Sequence, residues 1–346
     1  TSMQSLTNKS DDGFLVAGYI VYYDTNIVHG FVMNMDPNGD TIWGKQIDVE
    51  GFTYCSVLFA IQRSSDEILL AGVCDSLSRN QTRYLMWLDA NGNIKKQLFL
   101  PVIPDQVIWD CKLLLPVSGE IYYACTLTPR TESPMDRSSV RIDVINSEDQ
   151  IIRSKDYPNS STTLERMELF EDGKLLLAGS TYSGVSSSNI DMLLLLIDES
   201  GDEVYRKELG TDSWDFGNSA CPDFEGGYLV AGTVEISSHP ALYPINTLGV
   251  EGDLIVFTDT IYSYASIIKR TSPGGYLLII QSKWRLYFFR LGTDLHIKSV
   301  SWLDSNDPSY VYPYVLMDVT RLQNGAFAFL YENETGIVIV KTVPFY

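Results

Sequence analysis

The 346-residue chain carries 25 basic against 44 acidic residues, a formal net charge of −19. That balance argues against nucleic acid and anionic membrane surfaces as partners, because their phosphates call for clusters of Lys and Arg. The longest purely apolar run, Met192 to Ile197, is far short of the roughly 20 residues a transmembrane helix needs. Hydrophobic content of 45% with a mean hydropathy near zero points to a soluble protein with ample core.

The first recognisable element is the phrase Asp12-Gly13-Phe14-Leu15-Val16-Ala17-Gly18. It returns as Asp66 to Gly72, Gly119 to Cys125, Asp172 to Gly179, Gly226 to Gly232, Gly274 to Ile279 and Asn324 to Phe329. Aligned positions Gly13, Glu67, Gly119, Gly173, Gly227, Gly275 and Gly325 lie 48 to 54 residues apart. A period of about 50 residues built from short strands signals a β-propeller, one blade per repeat. The expected fold is therefore all-β: one seven-bladed β-propeller domain over residues 1–346, with four antiparallel strands per blade. Blade boundaries fall near 1–50, 51–104, 105–158, 159–212, 213–263, 264–306 and 307–346.

In the second repeat the pattern predicts strand A over 54–62, B over 68–73, C over 83–88 and D over 94–100. Strands B and C are near-continuous apolar runs, as expected when both faces are covered. The C–D turn is a second recurring phrase, Asp36-Pro37-Asn38-Gly39-Asp40, Asp89 to Asn93 and Asp198 to Asp202, with traces at Asn146 to Asp149 and Gly292 to Asp294. The fifth repeat is the most irregular there, with Asn246 to Asp253. Small residues at the end of strand B (Ala17-Gly18, Ala71-Gly72, Ala178-Gly179, Ala231-Gly232) suggest a packed turn or a close approach. The seventh blade ends after its third strand, near 336–343. Its missing outer strand is expected to come from residues upstream of Thr1.

Motifs of chemistry are sparse. The Asp-x-Asn-Gly turns open like a calcium loop, but the twelfth position is Ile47 or Leu100 rather than Glu, so hairpin turns are expected and no metal. His29, His239 and His296 lack metal-spaced partners, and no cofactor is called for. Five cysteines without a CxxC are no disulfide framework. Cys111 and Cys125 fall nearly opposite each other across the third hairpin, so one bridge there and buried free thiols both remain open.

The D–A loops are rich in aromatic and acidic residues. If the protein binds a ligand, the expected site is the D–A loop mouth, with Trp109, Trp214, Tyr310 and Tyr312 as contacts. Asp212, Asp215 and Asp307 would orient a sugar hydroxyl or a basic side chain. The competing reading has these rings packed between blades.

The phrase Asp12 to Gly18, the turn Asp36 to Asp40 and the strand Ile42-Trp43-Gly44-Lys45 together resemble the repeat-built seven-bladed propellers of exported proteins and lipoproteins common in Bacteroidetes. The resemblance is clear in the first, second, fourth and fifth repeats. It implies export to the periplasm or the outer membrane and cell surface, lipid anchoring through an upstream N-terminus, and a binding or scaffold role. A monomer with a glycan or protein/peptide ligand is the leading expectation. The alternative is a carbohydrate-active hydrolase or lyase using two channel-mouth carboxylates as acid and base.

Overall fold

Short runs rich in Val, Ile, Leu, Phe and Tyr, punctuated by Gly, Asp and Asn, leave no stretch in which a helical stripe could form. Every element of the structure, a computed structural model, is accordingly a β-strand. It describes residues 2–342 apart from 23, 25–26, 76–80, 117, 131–137, 159–162, 171–172, 184–188, 235–238, 258–262, 272–273, 283–284, 305–314, 323–325 and 334–335.

Seven sets of strands follow the seven phrases. The first is β1 (Ser2–Asn8), β2 (Phe14–Tyr22), β3 (Ile27–Met35) and β4 (Thr41–Ile47), and the second β5 (Tyr54–Ser64), β6 (Glu67–Asp75), β7 (Gln81–Asp89) and β8 (Ile94–Phe99). The third is β9 (Gln106–Leu114), β10 (Ile121–Pro129), β11 (Ser139–Ile145) and β12 (Ile151–Tyr157). The fourth is β13 (Leu164–Leu169), β14 (Leu175–Ser183), β15 (Asn189–Ile197) and β16 (Glu203–Leu209). The fifth is β17 (Phe216–Pro222), β18 (Tyr228–Val234), β19 (His239–Ile245) and β20 (Ile255–Val256), the last only two residues long. The sixth is β21 (Ser263–Arg270), β22 (Tyr276–Ser282), β23 (Arg285–Leu291) and β24 (Ile297–Asp304), and the seventh β25 (Val315–Arg321), β26 (Phe327–Asn333) and β27 (Gly336–Lys341).

Strands pair in chain order within each set. The first two sets share one sheet only through a parallel bridge between Val28 and Tyr54. The last set has three strands among the described residues. In the second set the observed bounds extend the expected strands B and C by one or two residues at either end, because the apolar runs continue into the flanking polar residues.

The Ala-Gly pair that ends four of the phrases has a specific cause. Opposite it the A strand carries a β-bulge: between Met3 and Ser5, Val57 and Phe59, Leu164 and Arg166, and Gly217 and Ser219. The bulge drives a carbonyl onto the glycine. A Cβ on Gly72 would lie 2.1 Å from Ser56 O, and on Gly179 2.0 Å from Thr163 O. No side chain fits there.

The chain divides into two compact units, each described by itself. One comprises Thr1–Thr131, Ile142–Ser154 and Met317–Pro344. Its cores form between successive sets: Leu15, Val32, Val57 and Tyr84 join the first to the second, and Leu85, Trp87, Cys111 and Tyr123 the second to the third. Met3, Phe14, Phe31, Ala328 and Leu330 join the seventh set to the first. The Asp318 carboxylate accepts the Leu6 N–H at 2.9 Å. The other unit comprises Glu132–Arg141, Lys155–Leu316 and Phe345–Tyr346. There Met192, Leu194, Val230 and Tyr243 join the fourth set to the fifth, and Leu229, Leu242, Tyr276 and Leu278 the fifth to the sixth.

Outer strands also reach sideways to the next set's C–D turn. Trp43 Nε1 donates to Ala90 O at 2.8 Å, and Lys96 pairs with Asp149. Tyr157 O–H donates to Gly201 O at 2.7 Å beside the Lys155–Asp202 pair at 2.5 Å. Lys207 stands 3.6 Å from Glu251. Lys341 of the last set donates to Pro37 O of the first. Within the turns, Asp36 Oδ1 accepts the N–H groups of Asn38 and Asp40 at 2.8 and 2.9 Å, as Asp89 does for Asn91 and Asn93. These carboxylates are spent on the hairpin.

Candidate functional site

At the end of the second set where the D–A and B–C connections lie, three directly paired residues form a row across three strands. Tyr54 on β5 pairs with Asp75 on β6, and Asp75 with Gln81 on β7. Residues paired in register share one face of a sheet, so a phenol, a carboxylate and an amide stand side by side. Gln81 Oε1 accepts the Ile108 N–H at 2.6 Å and thereby fixes the start of β9, the strand that carries Trp109. Tyr19, at the matching end of β2, lies across from Ser2.

These residues, with Gln4, Thr53, Leu58 and Val107, line a cleft of about 580 Å³. The volume falls in the range of small-ligand sites, ~300–1,000 Å³. Burial raises the pKa of Tyr54, with smaller contributions from Tyr19 and Asp75 and an opposing one from Ser56. Its hydroxyl therefore stays protonated at neutral pH. Asp75 Oδ1 is shielded from solvent and accepts no hydrogen bond from the described residues. A shielded acceptor without a donor is costly, and here it sits in the wall of a cleft. Rings, two amides and one carboxylate can hold an uncharged hydroxylated ligand or a basic group; they offer no nucleophile–base pair.

The expected site residues fare unevenly. Trp109 lines the cleft and is 53% exposed, although it belongs to a strand and not to the D–A loop. Trp214, 52% exposed, and exposed Asp212 lie in the connection between β16 and β17 in the other unit. Asp215 departs from expectation. It is fully buried, its carboxylate accepts the Thr211 N–H, and its own N–H donates to Ile190 O at 2.6 Å. Closed to solvent, it shapes that connection. Tyr310, Tyr312 and Asp307 lie outside the described residues. Sequence reasoning missed the Tyr54–Asp75–Gln81 row; its signal was that each residue sits at the same end of its strand. Cys111 and Cys125 do face each other in register, but all five cysteines are free thiols.

A scan of protein-family models finds no match to this chain, and neither does a search of curated proteins. Solved structures do resemble it. The β-propeller domain of the Trilobed protease from Pyrococcus furiosus superposes with a TM-score of 0.56 at 9% identity, covering 98% of this chain and 92% of that one. An acylaminoacyl peptidase from Pyrococcus horikoshii gives 0.56 at 10%, covering 98% and 51%. A puromycin hydrolase gives 0.55 at 12%, covering 95% and 50%. This chain thus spans about half the length of those two hydrolases. Identities this low carry the architecture and nothing chemical, and the architecture they carry is a β-propeller.

Proposed function

We propose that the chain is a seven-bladed propeller that captures a glycan or a protein/peptide segment in the cleft of Tyr19, Tyr54, Asp75, Gln81 and Trp109, without catalysing its conversion. The single observation behind the binding reading is the shielded Asp75 Oδ1 set among those rings, which receives no donor from the described residues and so suits a ligand hydroxyl or ammonium. Seven strand sets, and the packing of the last against the first, support the blade count. Its place in the cell envelope, as an exported, lipid-anchored monomer, periplasmic or on the outer membrane or cell surface, is supported by the resemblance of the repeat phrases.

Glycan and peptide arrays test this. The wild-type chain is expected to retain a ligand, with retention lost in Trp109→Ala and weakened at least tenfold in Asp75→Asn, about 1.4 kcal/mol. Equal retention by all three proteins would refute the cleft. The second reading is a hydrolase or lyase; what favours it is that the structural neighbours named above include hydrolases. Among the described residues lining the cleft Asp75 is the one carboxylate, whereas acid–base cleavage of a glycosidic bond needs two. Product release from a bound ligand would establish that reading.

A further inference from the structure

Cys55 and Cys74 are the in-register partners of adjacent antiparallel strands, β5 and β6, next in the chain to Tyr54 and Asp75. Their sulfurs stand 2.9 Å apart, both inside the core cluster with Val57 and Tyr84. Directly opposed residues of such strands have Cα atoms about 4.5–5.5 Å apart, inside the ~4.4–6.8 Å window of a disulfide. Backbone geometry and side-chain direction therefore already suit a bond. Elsewhere a hydroxyl or a guanidinium meets the sulfur: Tyr123 O–H donates to Cys111 at 2.8 Å, and Arg83 approaches Cys125 at 3.6 Å.

We propose that Cys55 and Cys74 close a cross-strand disulfide when the chain folds in the presence of a disulfide donor, either a thiol–disulfide oxidoreductase or oxidised glutathione. The thiolate of one cysteine attacks a donor sulfur, forming a mixed disulfide and releasing one donor thiol. The second cysteine, deprotonated, then attacks the protein sulfur of that mixed disulfide and releases the other donor thiol. The two protein thiols give up two protons and two electrons, and the donor's S–S bond accepts the electrons. Both residues are 3% exposed or less in the finished fold, so the exchange precedes closure of the core. The resulting link would fix the two strands on which Tyr54 and Asp75 stand.

The test is disulfide mapping of wild-type protein. Protein unfolded and reduced in urea is refolded in a mixture of oxidised and reduced glutathione, blocked with N-ethylmaleimide and digested with trypsin without reductant. Cleavage after Lys45, Arg63 and Arg79 puts Cys55 in 46–63 and Cys74 in 64–79. The expected product is these two peptides joined, two hydrogen atoms lighter than their sum, and separated by dithiothreitol. Recovery of both peptides with maleimide on Cys55 and Cys74, or of Cys55 joined to any other cysteine, would overturn the proposal.

Discussion

Two interfaces of one repeat solve the same problem with opposite chemistry. Six residues before the C–D turn, the second set places Arg83 and the fourth places Met192; both are buried and both face the next set. Three residues before its own turn, the third set answers Arg83 with Asp143, while the fifth answers Met192 with Tyr243. Arg83 and Asp143 are 2% and 1% exposed, and Ser154 Oγ donates to the same carboxylate. Burial works against the Arg83 charge, but Cys125, Tyr123 and Asp143 around it raise its pKa overall. Met192 instead fills the space beside Gly217 and Gly232, within a wholly apolar cluster. The fold thus asks that the position be filled and that any charge placed there be matched from across the interface. A charge is tolerated there when its partner is built into the neighbour.

The sharpest way to break the contrast is Asp143→Ala, which strands a buried guanidinium and is expected to cost about 3–5 kcal/mol, read from urea unfolding. Arg83→Met with Asp143→Tyr transplants the other interface, and it should return stability to the wild-type level or above it. Failure of that pair to rescue would mean that the ion pair specifies more than volume. Next in size, Met192→Ala should cost about 2–5 kcal/mol by leaving a cavity, with no polar group exposed to worsen it. Trp43→Phe removes the N–H donated to Ala90 and trims the indole packed against the core; loss of the hydrogen bond alone should cost about 0.5–1.5 kcal/mol.

The smallest effect concerns pH. Backbone N–H groups, from Asp40 for Asp36 and from Asn93 for Asp89, hold those carboxyl pKa values below the usual one, and the Ser200 hydroxyl does so for Asp198. A folded pKa below the unfolded value, ~3.9, gives stability that is present above that value and lost as pH falls through the folded one. Asn146 and Asn246 accept the equivalent N–H groups without titrating. Converting Asp36, Asp89 and Asp198 to Asn should therefore flatten the fall in urea midpoint below about pH 4. An unchanged acid profile would place the sensitivity elsewhere.

What was legible in the sequence was what recurs from copy to copy: the apolar B and C strands, the C–D turns of most repeats, and the Ala-Gly pair opposite the bulge in four of them. What was not legible depends on partners far apart. Arg83 meets Asp143 60 residues on, and nothing in either neighbourhood announces the other. The sideways clasp is made by the Trp43 indole, the Tyr157 phenol or the ammonium groups of Lys96 and Lys207, three chemistries doing one job, so no motif survives to be read. The cleft was half legible. An aromatic at Trp109 stood out, but the row that completes the cleft comes from strand ends whose alignment is a matter of register. Asp215 shows the converse error: its place beside Trp214 suggested a ligand contact, while its actual partner is its own connection at Thr211.

The bond from the Leu6 N–H to Asp318 joins residues 312 positions apart. On a ribosome adding about 5–20 residues per second, tens of seconds separate their synthesis. Throughout that interval Met3, Leu6, Phe14 and Val16, buried under Ala326, Ala328 and Leu330 in the finished protein, have no cover. The nascent chain carries a ready apolar sheet face whose cover lies about 300 residues on, and closure of so distant a contact is slow. A holdase waiting at the exit tunnel would find its binding site there.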